Sequence, residues 1–179
     1  MTPRERLYVI GQNGVGAAFV NALLNGFLGW LVVRGLSSFA MWQVPGVAGD
    51  LLGTAFGVSF GTAIGASFAV RKDFEKKKIG LPRISPALAN LIARFPRGTW
   101  KRSLWLGFVS VPIFGVPVLV VLAASGTEAM TPSSFIIVKA TLAAVQAALV
   151  TPLIVLGVLS DLGRPAPILA EAEGRASVT

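Results

Sequence analysis

Four long apolar runs set the pattern of this chain: Val15 to Val33, Val47 to Val70, Leu104 to Ala124 and Ser134 to Leu159. Each reaches the ~17–25 residues that a helix needs to cross a hydrocarbon core of ~30 Å. None shows the strict alternation of a barrel strand, and a segment in lipid must satisfy its backbone polar groups internally. The pattern therefore predicts an all-α integral membrane protein with four transmembrane helices. Two turn-rich stretches, Arg34 to Gly46 and Ser125 to Pro132, join the runs pairwise into hairpins. Both hairpins enter from the same side, which makes a parallel topological repeat. Sliding Ala40–Val70 onto Ala129–Leu159 matches only Ala40, Met41, Ala55 and Thr62 with Ala129, Met130, Ala144 and Thr151. The repeat is thus one of topology, and true sequence duplication stays open. The same register sets Asp50 opposite Lys139.

Between the hairpins, Arg71 to Ser103 is the one sizeable region outside the runs. Within it Ile84, Leu88, Leu91, Ile92 and Phe95 recur at helical steps of three and four, with Ser85 and Pro86 placed to start a helix. This predicts an amphipathic helix along the membrane surface. Residues 1–163 form the predicted membrane domain. The Pro-, Ala- and Glu-rich stretch that begins at Asp161 reads as disordered, with 164–179 as a free tail.

Composition supports the bilayer and adds an orientation. Mean hydropathy is +0.72, and charged residues make up only 13% of the chain. Of sixteen Lys and Arg, ten lie between Arg71 and Arg102, while Arg4 and Arg6 precede the first run and Arg164 and Arg175 follow the last. Basic residues collect on the cytoplasmic side, so both termini and the connector are predicted inside a cell (inner) membrane. Trp30 and Trp42 at the outer ends of the first hairpin, and Trp100 and Trp105 at the inner start of the third run, fit interfacial belts. A net charge of +8 distributed this way points to topology and not to nucleic acid. Lys76, Lys77, Lys78, Arg83, Arg94, Arg97, Lys101 and Arg102 also suit anionic headgroups, by ~1 kcal/mol each near the surface. Topology enforcement alone is the plainer account of the same charges. Ser38-Phe39-Ala40 resembles a signal-peptide cleavage site, but the run before it is long and carries two asparagines.

The chain has neither Cys nor His. That removes thiol nucleophiles, imidazole bases and the usual zinc ligands, so no enzyme activity, metal or cofactor is expected. Gly57-Val58-Ser59-Phe60-Gly61 fits G-x-S-x-G, yet it lies inside an apolar run with no His to serve it. The glycines from Gly11 to Gly16 lack the strand and spacing of a dinucleotide fold.

Two constellations remain. Gly49, Gly53, Gly57, Gly61 and Gly65 climb the second run at four-residue steps. Small residues let helices approach closely in lipid, so this ladder predicts a packing face. Each step drifts ~40° around the helix, so a single straight partner cannot cover all five. The face has three possible uses: another run of the same chain, a second copy, or a backbone-lined path. The polar residues form the second constellation. At ~1.5 Å per residue, Asn25 lies ~15 Å above the inner boundary, Thr62 and Thr151 ~12 Å, and Gln146 ~20 Å. With Asn21 one turn from Asn25, they make a mid-membrane layer, which serves either as interhelical glue or as a solute site. Asp50 and Lys139 lie at the outer edge of the hydrocarbon. They are predicted either to snorkel to the surface or to form a paired outer gate. Pro112, Pro117 and Pro152 interrupt the third and fourth helices.

These features predict a small oligomeric transporter or channel for a small solute or ion. The alternative is a non-catalytic subunit or assembly factor that docks a membrane partner through the glycine face. The expected partners are lipids, anionic on the cytoplasmic side, and a second copy or another membrane protein. The residues identify no known family.

Overall fold

A computed structural model describes residues 1–82 and 84–163; Arg83 and the tail 164–179 lie outside the described residues. Among the described residues, four helices are long and apolar enough to cross a membrane: α1 (Pro3–Val33), α2 (Val47–Glu75), α4 (Thr99–Ala124) and α5 (Pro132–Leu162). The short α3 (Pro86–Ala93) lies in the connector. Two-residue strands β1 (Phe39–Ala40) and β2 (Ala129–Met130) tie the hairpin loops together.

All four long helices outrun their apolar cores, and local chemistry explains where α1 and α5 start. Helix α1 starts at Pro3 because Thr2 and Glu5 form a capping box: the Thr2 hydroxyl accepts from the Glu5 amide at 3.2 Å, and the Glu5 carboxylate accepts from the Thr2 amide at 2.7 Å. It then widens into a π-helical stretch, Leu7–Val15, which carries Gly11, Gln12, Asn13 and Gly14. The Asn13 side chain donates to the Tyr8 carbonyl at 2.8 Å, so this polar segment stays helical. Helix α5 opens on a Thr131 cap with Pro132 in its first turn. It runs through Asp161, so the predicted disordered stretch starts too early. Pro112 sits in a second π turn, Val111–Gly115, within α4.

The packing order is not the order of the chain. Helix α1 lies along α5, α4 lies along α2, and α2 and α5 meet between them, while α1 and α2 barely touch. Exchanging the two halves maps this arrangement onto itself. Two contacts lie where such an exchange has its axis: the β1–β2 pair, with Ala40 opposite Ala129, and the ion pair of Asp50 with Lys139, 89 residues apart. At the connector end each half closes alike. The Tyr8 hydroxyl donates to Asp73 at 3.0 Å in the first half, and Arg102 pairs with Asp161 in the second.

The core has two apolar ends and a thin middle. Val33, Phe39, Met41, Leu51, Leu119 and Phe135 fill the loop end, and Val9, Val70, Leu106, Ile154 and Leu159 fill the connector end. Between them the buried apolar cluster shrinks to Val58, Ala143 and Ala147. Many large apolar side chains face outward, among them Phe19, Phe108, Ile137 and Leu149. Exposure on that scale suits a membrane-embedded chain. In α3 the Ser85 hydroxyl caps the Leu88 amide at 3.4 Å. Ile92 and Phe95 are buried, and Ile84 and Leu88 pack on the connector-end core, leaving Leu91 exposed. The apolar side of this helix thus covers the protein's own core.

Candidate functional site

Because α1 and α2 separate, a groove of about 970 Å³ opens between them, with α5 behind. It runs from Asp50 to Ala69, about 28 Å at 1.5 Å per residue, close to the thickness of a hydrocarbon core. Asn21 and Asn25 of α1, Thr62 of α2 and Thr151 of α5 line it, as do Asp50 and Lys139. So do Gly53, Gly57, Gly61 and Gly65. The structure therefore brings most of the two predicted constellations onto one surface.

The glycine ladder corrects one expectation. Among the described residues no other helix packs on it: a methyl group added at Gly49, Gly53, Gly57, Gly61 or Gly65 meets nothing within 4 Å. The glycines that seat helices are elsewhere. An ideal Cβ at Gly14 falls 3.2 Å from the Pro152 ring, and one at Gly29 falls 3.2 Å from the Lys139 stem, so α1 lies close on α5. Gly107 in α4 would meet the Phe56 ring at 2.7 Å, and Gly115 would meet Leu52 at 3.0 Å, so α4 lies close on α2. Sequence spacing located a smooth face but not what covers it.

The polar layer is partly reassigned. The Asn21 amide donates to the Ala17 carbonyl at 2.9 Å and to the Thr62 hydroxyl at 3.4 Å. The Asn25 amide donates to the Asn21 carbonyl at 3.0 Å, and Thr151 donates to the Ala147 carbonyl at 2.6 Å. These groups spend their donors on nearby backbone while still facing the groove. Gln146 does not face it. It is fully buried against α2, where its amide donates to the Ala55 carbonyl and, at 2.7 Å, to the Ser59 hydroxyl, itself bonded to Ser110. Gln146 belongs to a three-helix polar knot that fills the thin middle of the core.

Asp50 and Lys139 form an ion pair at the loop end of the groove, so neither snorkels. Lys139 is only 5% exposed, its ammonium lies 5.7 Å from the Phe135 ring centre, and Thr54 donates to the Asp50 carboxylate at 3.4 Å. A buried pair of this kind is held by mutual compensation, since either partner alone is a costly buried charge.

Arg102 also leaves its predicted place among the lipid-facing cations. It is 2% exposed, pairs with Asp161 and lies against the bare backbone of Gly157, whose carbonyl is 3.5 Å from its guanidinium. Lys76, Lys77, Arg94, Arg97 and Lys101 are exposed, as is Lys78, which pairs with Asp73 at 3.2 Å. Arg83 lies outside the described residues. The chain matches no protein family, curated protein or solved structure with which it is compared. Sequence reasoning missed Gln12, Asn13 and Thr54 on the groove wall. Thr54 stands one helical turn after Asp50, a spacing that was available. Gln12 and Asn13 were hidden because their segment resembles a loop.

Proposed function

We infer that this chain is a small multi-pass transport unit of a cell membrane, with the groove between α1 and α2 as its path. One observation carries the reading: polar side chains from three helices, an ion pair and a glycine-floored wall converge on one groove nearly as long as a bilayer core is thick. The bare glycine backbone keeps the path wide, and the mid-depth asparagines and threonines supply hydrogen-bonding groups where water is scarce. Both termini and the basic connector lie on the cytoplasmic side, where Lys76, Lys77, Lys78, Arg94, Arg97 and Lys101 favour anionic headgroups. Four helices enclose little space, so the working form is an oligomer that closes the open flank. The role is carriage and not catalysis.

The absence of native cysteine makes the test direct. Single cysteines at Gly57 and Thr62, in the groove, are compared with cysteines at Val120 and Leu149, both outward-facing. In phosphatidylcholine proteoliposomes a water-soluble thiosulfonate is expected to modify the groove pair at least tenfold faster. Equal, slow modification at all four positions sinks the reading.

The second reading, a subunit that docks a membrane partner, is favoured by the same bare ladder, whose five glycines have nothing opposite them among the described residues. Under that reading a groove cysteine in native membranes forms a crosslink to a second polypeptide, which a path occupied by solute or lipid does not.

A further inference from the structure

We propose that the groove binds a phospholipid whose zwitterionic head carries a primary ammonium, as in phosphatidylethanolamine, with the head on the Asp50–Lys139 pair and an acyl chain on the glycine floor. The inference rests on the groove being the working path and names what it takes. The ion pair selects the head. A simple anion that captures Lys139 strands the Asp50 carboxylate, and a simple cation that captures Asp50 strands a 5% exposed lysine. A zwitterion laid across the pair compensates both, with its phosphate on the Lys139 ammonium and its own ammonium on the Asp50 carboxylate.

A second acceptor lines the same groove. Asn25 is 7% exposed and lines the groove, and its carboxamide nitrogen is committed to the Asn21 carbonyl. Its oxygen accepts no hydrogen bond among the described residues, so it offers an acceptor to an N–H donor. At the head itself the Asp50 carboxylate accepts hydrogen bonds from a primary ammonium, whereas a quaternary one has no N–H to give.

The rest of the groove suits hydrocarbon. From Asp50 to Gly65 it extends about 22 Å at 1.5 Å per residue, with Gly53, Gly57 and Gly61 along its floor. The α1 lip carries Val20, Leu24 and Leu28, which are 60%, 51% and 42% exposed. The donors of Asn21 and Thr151 are bonded within the protein, so the wall makes few polar demands on a chain lying over it.

The test uses the full chain carrying Gly61→Cys, purified in a maltoside detergent, with the rate of thiosulfonate modification as readout. Eight-carbon phosphatidylethanolamine is expected to slow modification at least tenfold. Phosphatidylcholine and phosphatidylglycerol of the same chain length are expected to slow it less than threefold, and glycerophosphoethanolamine, which has no acyl chains, not at all. Combining Asp50→Asn with Lys139→Gln should abolish protection by phosphatidylethanolamine. Equal protection by any of the three comparison compounds overturns the proposal; if glycerophosphoethanolamine is the one that protects, the ligand is a soluble zwitterion. Where the double variant is not monodisperse, the four-compound comparison on Gly61→Cys alone decides. A cysteine that reacts in bare detergent but is unprotected by phosphatidylethanolamine ends this inference and leaves the path standing. A cysteine that never reacts removes both.

Discussion

The two faces of the central α2–α5 pair differ in one respect: what stands on the wall. On one side α2 presents Gly53, Gly57, Gly61 and Gly65 to the space beside α1, and the groove stays open. Eighty-nine residues on, the separation at which Asp50 meets Lys139, α5 carries Leu142, Gln146, Val150 and Ile154. These are 7%, 0%, 6% and 0% exposed. Leu142 shares a cluster with Leu119 of α4, and Val150 and Ile154 share one with Leu106. The same helical arrangement is filled on one side and hollow on the other. An interior normally packs to the density of an organic crystal, so a wall left bare over about three turns is a departure confined to one half of the molecule.

The ion pair gives the sharpest way to break the comparison, because it holds the open side where side-chain packing does not. Lys139→Met leaves the Asp50 carboxylate beside an apolar neighbour and is expected to cost ~3–5 kcal/mol. Thermal denaturation of the detergent-solubilised chain should show it. Adding Asp50→Asn should return most of the loss. If the single variant melts like the parent, the pair is solvated and the groove is wetter at that end than its burial implies.

On the filled side, Ile154→Ala removes a fully buried side chain from the connector-end core. The expected loss is ~2–5 kcal/mol, part of it from the cavity left behind. Chemical denaturation followed by tryptophan fluorescence measures it. A loss below about 1 kcal/mol, against the range usual for such a truncation, would mean that the side facing α4 is as loosely packed as the groove.

How far the sequence shows this asymmetry differs from element to element. The four helices were legible because apolar runs of that length have no other stable form in lipid. The start of α1 was not, because Gly11, Gln12 and Asn13 imitate a loop while the Thr2–Glu5 capping box and the Asn13 bond to Tyr8 keep the segment helical. Shared surface was legible in part: Asn25, Thr62 and Thr151 line one groove. Direction was not, since Gln146 is spent on Ser59 inside the core and Arg102 turns inward to an aspartate assigned to the tail. The register that sets Asp50 opposite Lys139 held contact information that four residue matches were too few to support. Two-residue strands such as β1 and β2 are too short for any periodicity to reveal.

Glycines sharpen the comparison further. Gly107→Ala places a methyl group 2.7 Å from the Phe56 ring, which itself stacks on Phe60 and meets Phe108 edge-on. Displacing that ring is expected to cost ~1–3 kcal/mol. Equilibrium unfolding in detergent provides the check, and an unchanged stability would show that the α2–α4 seam yields as easily as the groove wall.

The smallest effect carries the most information, because its sign depends on what faces the ladder. At Gly57 a methyl group meets nothing within 4 Å, so Gly57→Ala should raise the stability of the isolated chain by up to ~1 kcal/mol through helix propensity alone. A second helix seated on the ladder reverses the sign, since close approach of two backbones is what the glycines permit and a methyl group would hold them apart. Measuring Gly57→Ala in detergent and again in native membranes, by resistance to heat-induced aggregation, separates the cases. A gain in both settings leaves the wall facing lipid or a small guest. A gain in detergent with a loss in membranes means that another helix fills the space which, on the opposite face, Leu142, Gln146, Val150 and Ile154 fill from within.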